Sequence, residues 1–274
     1  MRWFIVWFAG VVWAGPVTVT PKIVRQGETV RVVAGGNGTE ARLNGRTVRL
    51  FPQADSRFGL MPIPVDERPG EYNLEVLDQN HTVLESTGIT VQNAHYPSQN
   101  VMISQALTEL KASPGETETT AEFRNHVSDV RFWQDPLRPP VPGCMTSPFG
   151  VKRLQNGKPT GSYHGGLDLR GAAGSPIRAT AAGTVVLARE FALHGGTVGI
   201  DHGQGLESMY LHMSKIGVAE GAKVQAGDII GYVGSTGRSN APHLHWSIYV
   251  NGISVSPLQW VSVRSCYAQA RKKK

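Results

Sequence analysis

The sequence predicts a mostly β fold in two parts, and three observations lead to this prediction. Glycine and proline are frequent, with 32 and 17 among 274 residues, which suits a chain with many turns better than a helical bundle. Apolar and polar residues alternate with a period of two in many short segments, as in half-buried strands. The apolar fraction of 40% and charged fraction of 18% are those of a globular protein, which excludes a disordered chain.

Residues 16–93 contain five segments with this alternation, namely VTVTP, ETVRVVA, ARLNGRTVRLF, GEYNLEVLD and ESTGITVQ. Turn-forming dipeptides separate them: Asn37-Gly38, Asn44-Gly45 and Pro69-Gly70. Strands at this spacing over about 80 residues predict a small immunoglobulin-like β-sandwich. His81 lies alone in a polar stretch, so we expect it to be solvated and without a catalytic role.

Residues 94–143 have a different character. A helical pattern is interrupted at Ser113-Pro114-Gly115, and the proline-rich stretch 135–143 cannot hold a helix. We predict a partly helical linker, which either only connects the two parts or packs over the second one. Short apolar segments broken by glycines then return, without an amphipathic helix of three turns, and they predict an antiparallel β-sheet domain over 144–264.

The two ends of the chain carry separate signals. One arginine, an apolar run and small residues before Gly15 form a signal-peptide pattern over residues 1–14, and an uncleaved anchor is the alternative. The run of roughly a dozen apolar residues is short for a span, which needs about 20. The net charge of +6 and the basic tail over 265–274 favour attraction to polyanions. The sequence has no basic stripe interleaved with aromatic residues, so we do not expect nucleic-acid binding.

The sequence contains two cysteines, Cys144 and Cys266, which flank the predicted C-terminal domain. An even number in an oxidising compartment permits one disulfide, which would tie the two ends of that domain together. Two buried free thiols are the alternative. Neither cysteine has a partner at CxxC spacing, so we do not expect metal ligands here.

The first candidate site motif is His164-Gly165-Gly166-Leu167-Asp168. Two adjacent glycines argue against a helix, and on an extended chain positions 164, 166 and 168 point to one side. Gly166 would then leave room for an ion to approach both side chains. Imidazole nitrogen and carboxylate oxygen are both good zinc ligands, but chance pairs at this spacing are common.

The second motif is Pro242-His243-Leu244-His245-Trp246. In a strand the two histidines face the same way, while Leu244 and Trp246 face an apolar side. Burying two imidazoles without partners is costly, and a metal bound by one of them would explain their position. Two surface histidines are the alternative interpretation.

The third motif is His212 in the segment LESMYLHM, where alternation predicts that Tyr210 and His212 share one face. A single histidine on a strand is more often structural, so His212 becomes a candidate only together with the other motifs. The same holds for His202, for which we expect a structural role in a turn, with a supporting role beside the metal as the alternative.

Together these motifs supply more ligands than one zinc ion uses. A catalytic zinc takes three protein ligands and an open position for water. His164, Asp168 and one histidine of the 243/245 pair make three, which leaves two histidines for proton transfer and oxyanion stabilisation. No HExxH motif is present, so the glutamate base of the usual zincins is absent. Three metal ligands together with two free histidines predict a hydrolase.

The same residues carry a family resemblance. The segments YHGGLDLRGAAGSPIRATAAGTVV, YLHMS and GSTGRSNAPHLHW, in this order within residues 145–258, resemble the lysostaphin/LytM-type zinc endopeptidases. The resemblance implies a two-layer antiparallel β domain with a groove over the metal. It also implies three zinc ligands, His164, Asp168 and His245, and two catalytic histidines, His212 and His243. Where the family usually has Ser-Thr-Gly-Pro, this chain has Ser239-Asn240-Ala241-Pro242, which changes a loop beside the groove.

The predicted function is that of an exported zinc endopeptidase in the periplasm or cell envelope of a bacterium, with one Zn²⁺ per chain. The resemblance implies the peptide stems or cross-bridges of peptidoglycan as substrate. A non-enzymatic peptidoglycan-binding activator of other wall hydrolases is the first alternative, and it would not need His212 and His243 in an open groove. A latent enzyme is the second. In that form Asn125, His126 or Asp129 would occupy the fourth metal position.

Overall fold

The computed structural model describes residues 17–267. The predicted signal peptide at 1–14 and most of the predicted basic tail, from residue 268 onward, lie outside this range. Within it, no helix is long and apolar enough to span a membrane.

Nine strands form the N-terminal unit; all five segments with the alternation contribute strand residues, and Ile23–Arg25 and Ser56–Pro62 are strands that the alternation did not mark. They are β1 (Thr18–Thr20), β2 (Ile23–Arg25), β3 (Thr29–Ala34), β4 (Glu40–Leu43), β5 (Arg46–Arg49), β6 (Phe51–Gln53), β7 (Ser56–Pro62), β8 (Gly70–Leu77) and β9 (Val83–Gln92). They build a four-stranded sheet in the order β1-β3-β7-β6 and a five-stranded sheet in the order β2-β9-β8-β4-β5. The immunoglobulin-like class of this unit stays a prediction.

The two N-terminal sheets enclose a shared apolar core. Val32 of β3, Leu74 of β8 and Ile89 of β9 are among its buried residues. Asn44 and Gly45 both have positive φ, 46° and 77°, in the two-residue turn that joins β4 to β5. The predicted turn chemistry at this position is therefore confirmed.

The middle segment contains one strand and two short helices, β10 (Ser98–Val101), α1 (Gln105–Glu109) and α2 (Glu116–Arg124). The break between the helices falls at Ser113-Pro114-Gly115, as predicted. Phe123 of α2 is buried against Met209 and Leu211 of the following sheet. Of the two possibilities for this segment, packing over the C-terminal part is therefore the correct one.

The C-terminal part contains twelve strands and one 3₁₀ turn (Pro257–Gln259). The strands are β11 (Met145–Ser147), β12 (Lys152–Gln155), β13 (Lys158–Tyr163), β14 (Leu167–Arg170), β15 (Pro176–Arg178), β16 (Gly183–Phe191), β17 (Gly195–Gly203), β18 (Leu206–Ile216), β19 (Lys223–Val224), β20 (Ile229–Val233), β21 (His243–Val250) and β22 (Ile253–Val255). Ten of them form one sheet with the main order β11-β14-β21-β18-β17-β16-β19, and all of its strand pairs are antiparallel. A small sheet β10-β12-β13 lies beside it.

The large sheet has one apolar face and one polar face. Leu167 and Leu169 of β14 and Leu244 and Trp246 of β21 are fully buried in the main core. The residues between them in sequence face the other side, where a groove runs across the sheet. The period-two prediction for His243 and His245 is confirmed by this arrangement.

The N-terminal unit packs directly on the C-terminal core. Phe58 and Trp133 lie with ring centroids 6.1 Å apart, and Trp133 meets Trp260 at 5.5 Å. The Gln259 side chain accepts a hydrogen bond from the Thr29 amide and donates one to its carbonyl, at 2.7 and 2.8 Å. Apolar contacts and paired polar groups therefore hold the two parts together.

Cys144 and Cys266 form a disulfide. The predicted bridge is therefore confirmed, and the alternative of two free thiols is wrong. Backbone hydrogen bonds from Met145 to Arg264 and from Cys266 to Met145 lie beside it. The bridge closes the C-terminal domain at its two ends.

Candidate active site

Three side chains predicted as metal ligands converge at the floor of the groove. The Nε2 atom of His164 lies 3.0 Å from Asp168 Oδ1 and 3.0 Å from His245 Nδ1, and Asp168 Oδ1 lies 2.9 Å from His245 Nδ1. In a tetrahedral zinc site with bonds of about 2.0–2.1 Å, ligand atoms lie roughly 3.3 Å apart. The three atoms are therefore spaced as one small cation requires. They form the one such cluster of three or more ligand atoms found among residues 17–267.

The second nitrogen of each imidazole in the cluster has its own acceptor. His164 Nδ1 lies 2.8 Å from the Pro148 carbonyl oxygen, and His245 Nε2 lies 3.0 Å from Ser247 Oγ. If each of these nitrogens carries the proton, the lone pairs of the other two point into the cluster. Such outer hydrogen bonds fix the tautomer and ring orientation of metal-binding histidines.

Asp168 is held in the ionised form. Burial alone would raise the pKa of Asp168, but hydrogen bonds and charges from His164 and His245 hold it well below its usual range. Its second oxygen, Oδ2, lies 3.2 Å from Arg153 Nη2. Burial also lowers the pKa of His245 to about 4, which keeps that imidazole neutral at pH 7. A neutral imidazole and an ionised carboxylate are the forms that bind zinc.

Gly166 has a role that the sequence did not reveal. A Cβ at this position would lie 2.5 Å from both Ser247 Oγ and the Trp246 carbonyl oxygen, and 2.9 Å from His245 Nε2. The glycine therefore allows β14 to approach β21 closely, in addition to the predicted role of leaving room for an ion, which stays a prediction. This close approach brings Asp168 opposite His245 in the strand register.

His243 lies beside the cluster and outside it. It is the first residue of β21, and its Nε2 is 3.7 Å from Asp168 Oδ1. Its Nδ1 lies 2.8 Å from the Ala241 carbonyl oxygen, so the ring is oriented from behind by its own loop. The side chain is 22% exposed, more than His164 at 4% or His245 at 15%. Of these three imidazoles, it is the most accessible to a molecule in the groove.

His212 also reaches the groove, although its strand alternation predicts otherwise. Tyr210 is fully buried in the main core, where its hydroxyl oxygen accepts from the Thr180 amide at 2.9 Å. The prediction that Tyr210 and His212 share one face is therefore wrong. His212 has a φ of 63°, in the left-handed region, and this backbone turn takes its side chain out of the regular alternation.

The imidazole of His212 is fixed from two directions. Its Nδ1 lies 2.8 Å from the Thr236 carbonyl oxygen, and its backbone amide donates to the His194 carbonyl at 3.0 Å. The ring centroid is 5.0 Å from that of His243. Burial, with the charges of His245 and His243, lowers the pKa of His212 to about 3, so the ring is neutral at pH 7.

The groove has a volume of about 860 Å³, and several separate parts of the chain form its walls. The β12–β13 hairpin supplies Arg153, and the loop before His243 supplies Arg238 and Asn240. Asn240 donates to the Met102 carbonyl at 2.7 Å. Asn240, which stands where the family usually has threonine, therefore connects this loop to the segment that follows β10.

A buried carboxylate from the middle segment organises another part of the wall. Glu116, the first residue of α2, accepts from the backbone amides of Leu193 and His194 at 3.0 and 2.9 Å, and it pairs with His194 Nδ1 at 2.5 Å. Burial would raise the pKa of Glu116, but hydrogen bonds from Ser113 and His194 lower it to about 2. Because the His194 carbonyl accepts from His212, Glu116 supports the loop behind a candidate catalytic residue.

Several groove residues were not foreseen from the sequence. Arg170 could have been found, since it follows Asp168 by two positions in a strand and so shares its face. Arg153 reaches the groove, and Glu116 supports its wall from behind; both come from other elements, and no local pattern marks them.

The residues predicted to block the metal in a latent enzyme lie elsewhere. His126 Nε2 pairs with Asp201 at 3.4 Å, and Asp129 pairs with Arg49 at 3.0 Å. The Asn125 side chain donates to the Ala121 carbonyl in its own helix. All three candidates for the fourth metal position are therefore wrong.

The two remaining histidine predictions have separate outcomes. His202 is fully buried in β17, where Nδ1 faces the Ala182 carbonyl at 2.8 Å and Nε2 faces Ser208 Oγ at 2.7 Å. Its role is structural as expected, although it lies in a strand and not in a turn. His81 is exposed and pairs with Glu40 at 2.9 Å, as a surface residue.

Comparison with known proteins gives the family. The description "Peptidase family M23" matches residues 162–257, which include all five site residues. The crystal structure of a Pseudomonas aeruginosa protein assigned to peptidase M23 is 30% identical, with a TM-score of 0.63, and the match covers 82% of this chain and 87% of that one.

Two curated relatives match the C-terminal part alone. DD-carboxypeptidase/endopeptidase Mpg of Neisseria meningitidis serogroup B is 39% identical over 122 residues, which are 44% of this chain and 28% of Mpg. Peptidoglycan DD-endopeptidase ShyA of Vibrio cholerae is 36% identical over 115 residues, 42% of this chain and 27% of ShyA. The matched region thus spans less than a third of these relatives. The resemblance noted from the three motifs is confirmed, and the chain belongs to peptidase family M23.

Proposed function

We propose that the protein is an exported zinc endopeptidase that hydrolyses amide bonds in the peptide stems or cross-bridges of bacterial peptidoglycan. The observation that carries this proposal is the convergence of His164 Nε2, Asp168 Oδ1 and His245 Nδ1 within 3.0 Å of one another. Two nitrogens and one carboxylate oxygen are a donor set that zinc prefers. The names of Mpg and ShyA support the choice of a wall peptide as substrate.

The proposal assigns one Zn²⁺ to His164, Asp168 and His245. A bound zinc ion would supply Lewis acidity toward the scissile carbonyl and the attacking water. Arg153 holds the second oxygen of Asp168 and so orients the carboxylate. The acceptors of His164 and His245 orient the two imidazoles in the same way.

Proton transfer is assigned to His212 and His243. Each has Nδ1 directed at a backbone carbonyl, at 2.8 Å in both cases, so each presents Nε2 as the working atom. One accepts the proton of the attacking water and passes it to the leaving amine. The other, when both of its ring nitrogens carry protons, donates from Nε2 to the developing oxyanion, a contribution typically worth about 3 kcal/mol.

The location of His212 and His243 favours an enzyme over the non-enzymatic activator. Both residues line the groove beside the cluster. An adaptor that only binds peptidoglycan has no use for two oriented imidazoles there. The positive φ of His212 adds to this argument, since uncommon backbone conformations of this kind concentrate at functional sites.

We also propose the domain division and location that the sequence suggests. An immunoglobulin-like sandwich over 16–93 is supported by two sheets around one apolar core, and a peptidase domain over 144–264 by a second core. Export to the periplasm or cell envelope is supported by the disulfide, since such bonds persist in oxidising compartments.

Digestion of purified peptidoglycan by the full chain tests the proposed function. We expect new amino and carboxyl termini, loss of this activity on zinc chelation and its return when zinc is restored. His245→Ala is the matched variant and should behave like the chelated protein. New reducing sugar ends would indicate a glycosidase, and digestion unaffected by both chelation and His245→Ala would contradict a metal-dependent mechanism.

A further inference from the structure

The groove has an excess of positive charge. Three arginines line it, Arg153, Arg170 and Arg238, and Asp168 is the one carboxylate among its described lining residues. That carboxylate is fully engaged, because Oδ1 faces the imidazoles and Oδ2 faces Arg153. Two guanidinium groups therefore remain in the groove without a carboxylate partner there.

Arg170 lies immediately beside the proposed catalytic residues. In the pairing of β14 with β21, Asp168 is opposite His245 and Arg170 is opposite His243. Side chains of directly opposed residues share a face, with Cβ atoms about 4.5–5.5 Å apart. Arg170 is exposed, and its side chain has no hydrogen bond or salt bridge to any residue in the range 17–267.

Arg238 is presented from the loop that orients His243. Its backbone amide donates to the Leu193 carbonyl at 2.9 Å, which fixes the chain, while the side chain is exposed. Ser239 and Ala241, the next residues of this loop, both contact His243 Nδ1. As with Arg170, no acceptor within residues 17–267 faces the guanidinium group.

We propose that Arg170 and Arg238 bind a free carboxylate of the peptide substrate next to the bond that is cut, and that they determine specificity for acidic peptides. The inference rests on the proposed function. A guanidinium group offers a planar fork that matches a carboxylate with two parallel hydrogen bonds. Because Arg170 is opposite His243, the recognised carboxylate belongs to a residue adjacent or nearly adjacent to the scissile amide. It is either the terminal α-carboxylate or a side-chain carboxylate.

The test uses the zinc-loaded full chain and a synthetic stem peptide of peptidoglycan in three forms. One form has all carboxylates free, one has the terminal α-carboxylate amidated, and one has the side-chain carboxylates amidated. We expect wild type to cleave the free form at least about tenfold more efficiently, in kcat/KM, than one of the amidated forms. The form that loses activity identifies the source of the carboxylate.

Variants then assign the preference to residues. Arg170→Gln should abolish the preference, and Arg170→Lys should keep part of it because the charge remains without the fork. Arg238→Gln should reduce it as well. The matched control is Arg25→Gln, an exposed arginine of the N-terminal unit, which should keep the wild-type ratio.

Binding of the same peptides, measured by calorimetry, separates failure of this inference from failure of the proposed function. If wild type cleaves all forms equally, or if Arg170→Gln and Arg238→Gln keep the wild-type ratio, the carboxylate site is refuted while the peptidase stands. If no form is cleaved, but the free form binds preferentially and Arg170→Gln removes this preference, the site stands and the peptidase proposal fails. Equal binding without cleavage would refute both.

Discussion

The N-terminal unit and the large C-terminal sheet bury different kinds of side chain. Within residues 17–92, the buried polar side chains are Thr29 and Glu67. Glu67 is bonded to Asn44 at 2.7 Å, to Tyr72 at 3.2 Å and to Arg46. The C-terminal sheet and its loops bury many more ionisable groups, among them His164, Asp201, His202, Glu207 and His212.

These buried groups in the sheet are not all matched by partners. Neither carboxylate oxygen of Glu207 has a hydrogen-bond partner among residues 17–267, and burial, with the nearby charge of Asp201, raises the pKa of Glu207 well above its usual range. His212 has an uncommon backbone conformation as well. Natural proteins depart from local rules mainly at functional sites. The comparison therefore indicates that buried ionisable groups, and with them the candidate chemistry, are concentrated in the C-terminal sheet.

The largest expected effect is on activity, from Asp168→Ala. This change removes the one carboxylate of the cluster, so we expect turnover of peptidoglycan to fall by more than about 10³-fold, together with loss of bound zinc. The control is Asp66→Ala, which changes an exposed aspartate of the N-terminal unit and should retain both turnover and bound zinc. Turnover of Asp168→Ala within tenfold of wild type would refute the assignment of the cluster.

The corresponding change in the N-terminal core should affect stability alone. Leu74 is fully buried, so Leu74→Ala should lower the free energy of unfolding by about 2–5 kcal/mol. Turnover per folded molecule should stay at the wild-type value. Urea unfolding, followed by circular dichroism, measures the free energy of unfolding. Leu84→Ala is the control, because Leu84 is 38% exposed. A loss of turnover per folded molecule would show that the two regions are less separate than proposed.

Glu116→Gln tests the contact between the middle segment and the groove. The variant keeps the shape but loses the charge that pairs with His194 and accepts from two backbone amides. We expect the free energy of unfolding to fall by about 2 kcal/mol, as for a buried hydrogen bond to a charged group. Glu118→Gln, exposed in the same helical turn, should change it by less than about 0.5 kcal/mol. Equal effects of the two variants would contradict the proposed support of the loop.

Acid should weaken the C-terminal sheet through its buried histidines. Burial lowers the pKa of His202 to about 4. In the unfolded chain this group binds a proton below its ordinary pKa of about 6.5, whereas the folded protein excludes the proton down to about pH 4. The stability of the folded state is therefore highest above pH 6.5 and falls as the pH is lowered toward 4.

The pH effect can be measured with the zinc-chelated protein by tryptophan fluorescence. Residues 17–92 contain no tryptophan, whereas Trp133, Trp246 and Trp260 all lie in the main core, so in the chain without residues 1–14 the signal reports that core. His202→Gln should have a flatter dependence of unfolding free energy on pH between 6.5 and 4. The same slope in both proteins would exclude His202 as a source of acid sensitivity.

The sequence predicts those parts of the site that follow regular strand geometry. His243 and His245 share a face because side chains alternate along β21, and the Asn44-Gly45 turn follows from its dipeptide. His212 escapes the same rule, since its positive φ is a tertiary effect that alternation does not contain. Long-range partners such as Glu116 and the bonding state of the two cysteines likewise depend on how distant segments meet.

The central claim is that the five site residues divide into metal ligands and proton-transfer groups, and zinc content measured together with turnover in two variants tests it most directly. His245→Ala should lose both the bound zinc and the activity. His243→Ala should keep about one zinc per chain and lose about 10²–10⁴-fold in turnover, since general acid–base groups contribute in that range. Loss of zinc from His243→Ala, or retention of both zinc and activity by His245→Ala, would contradict the account.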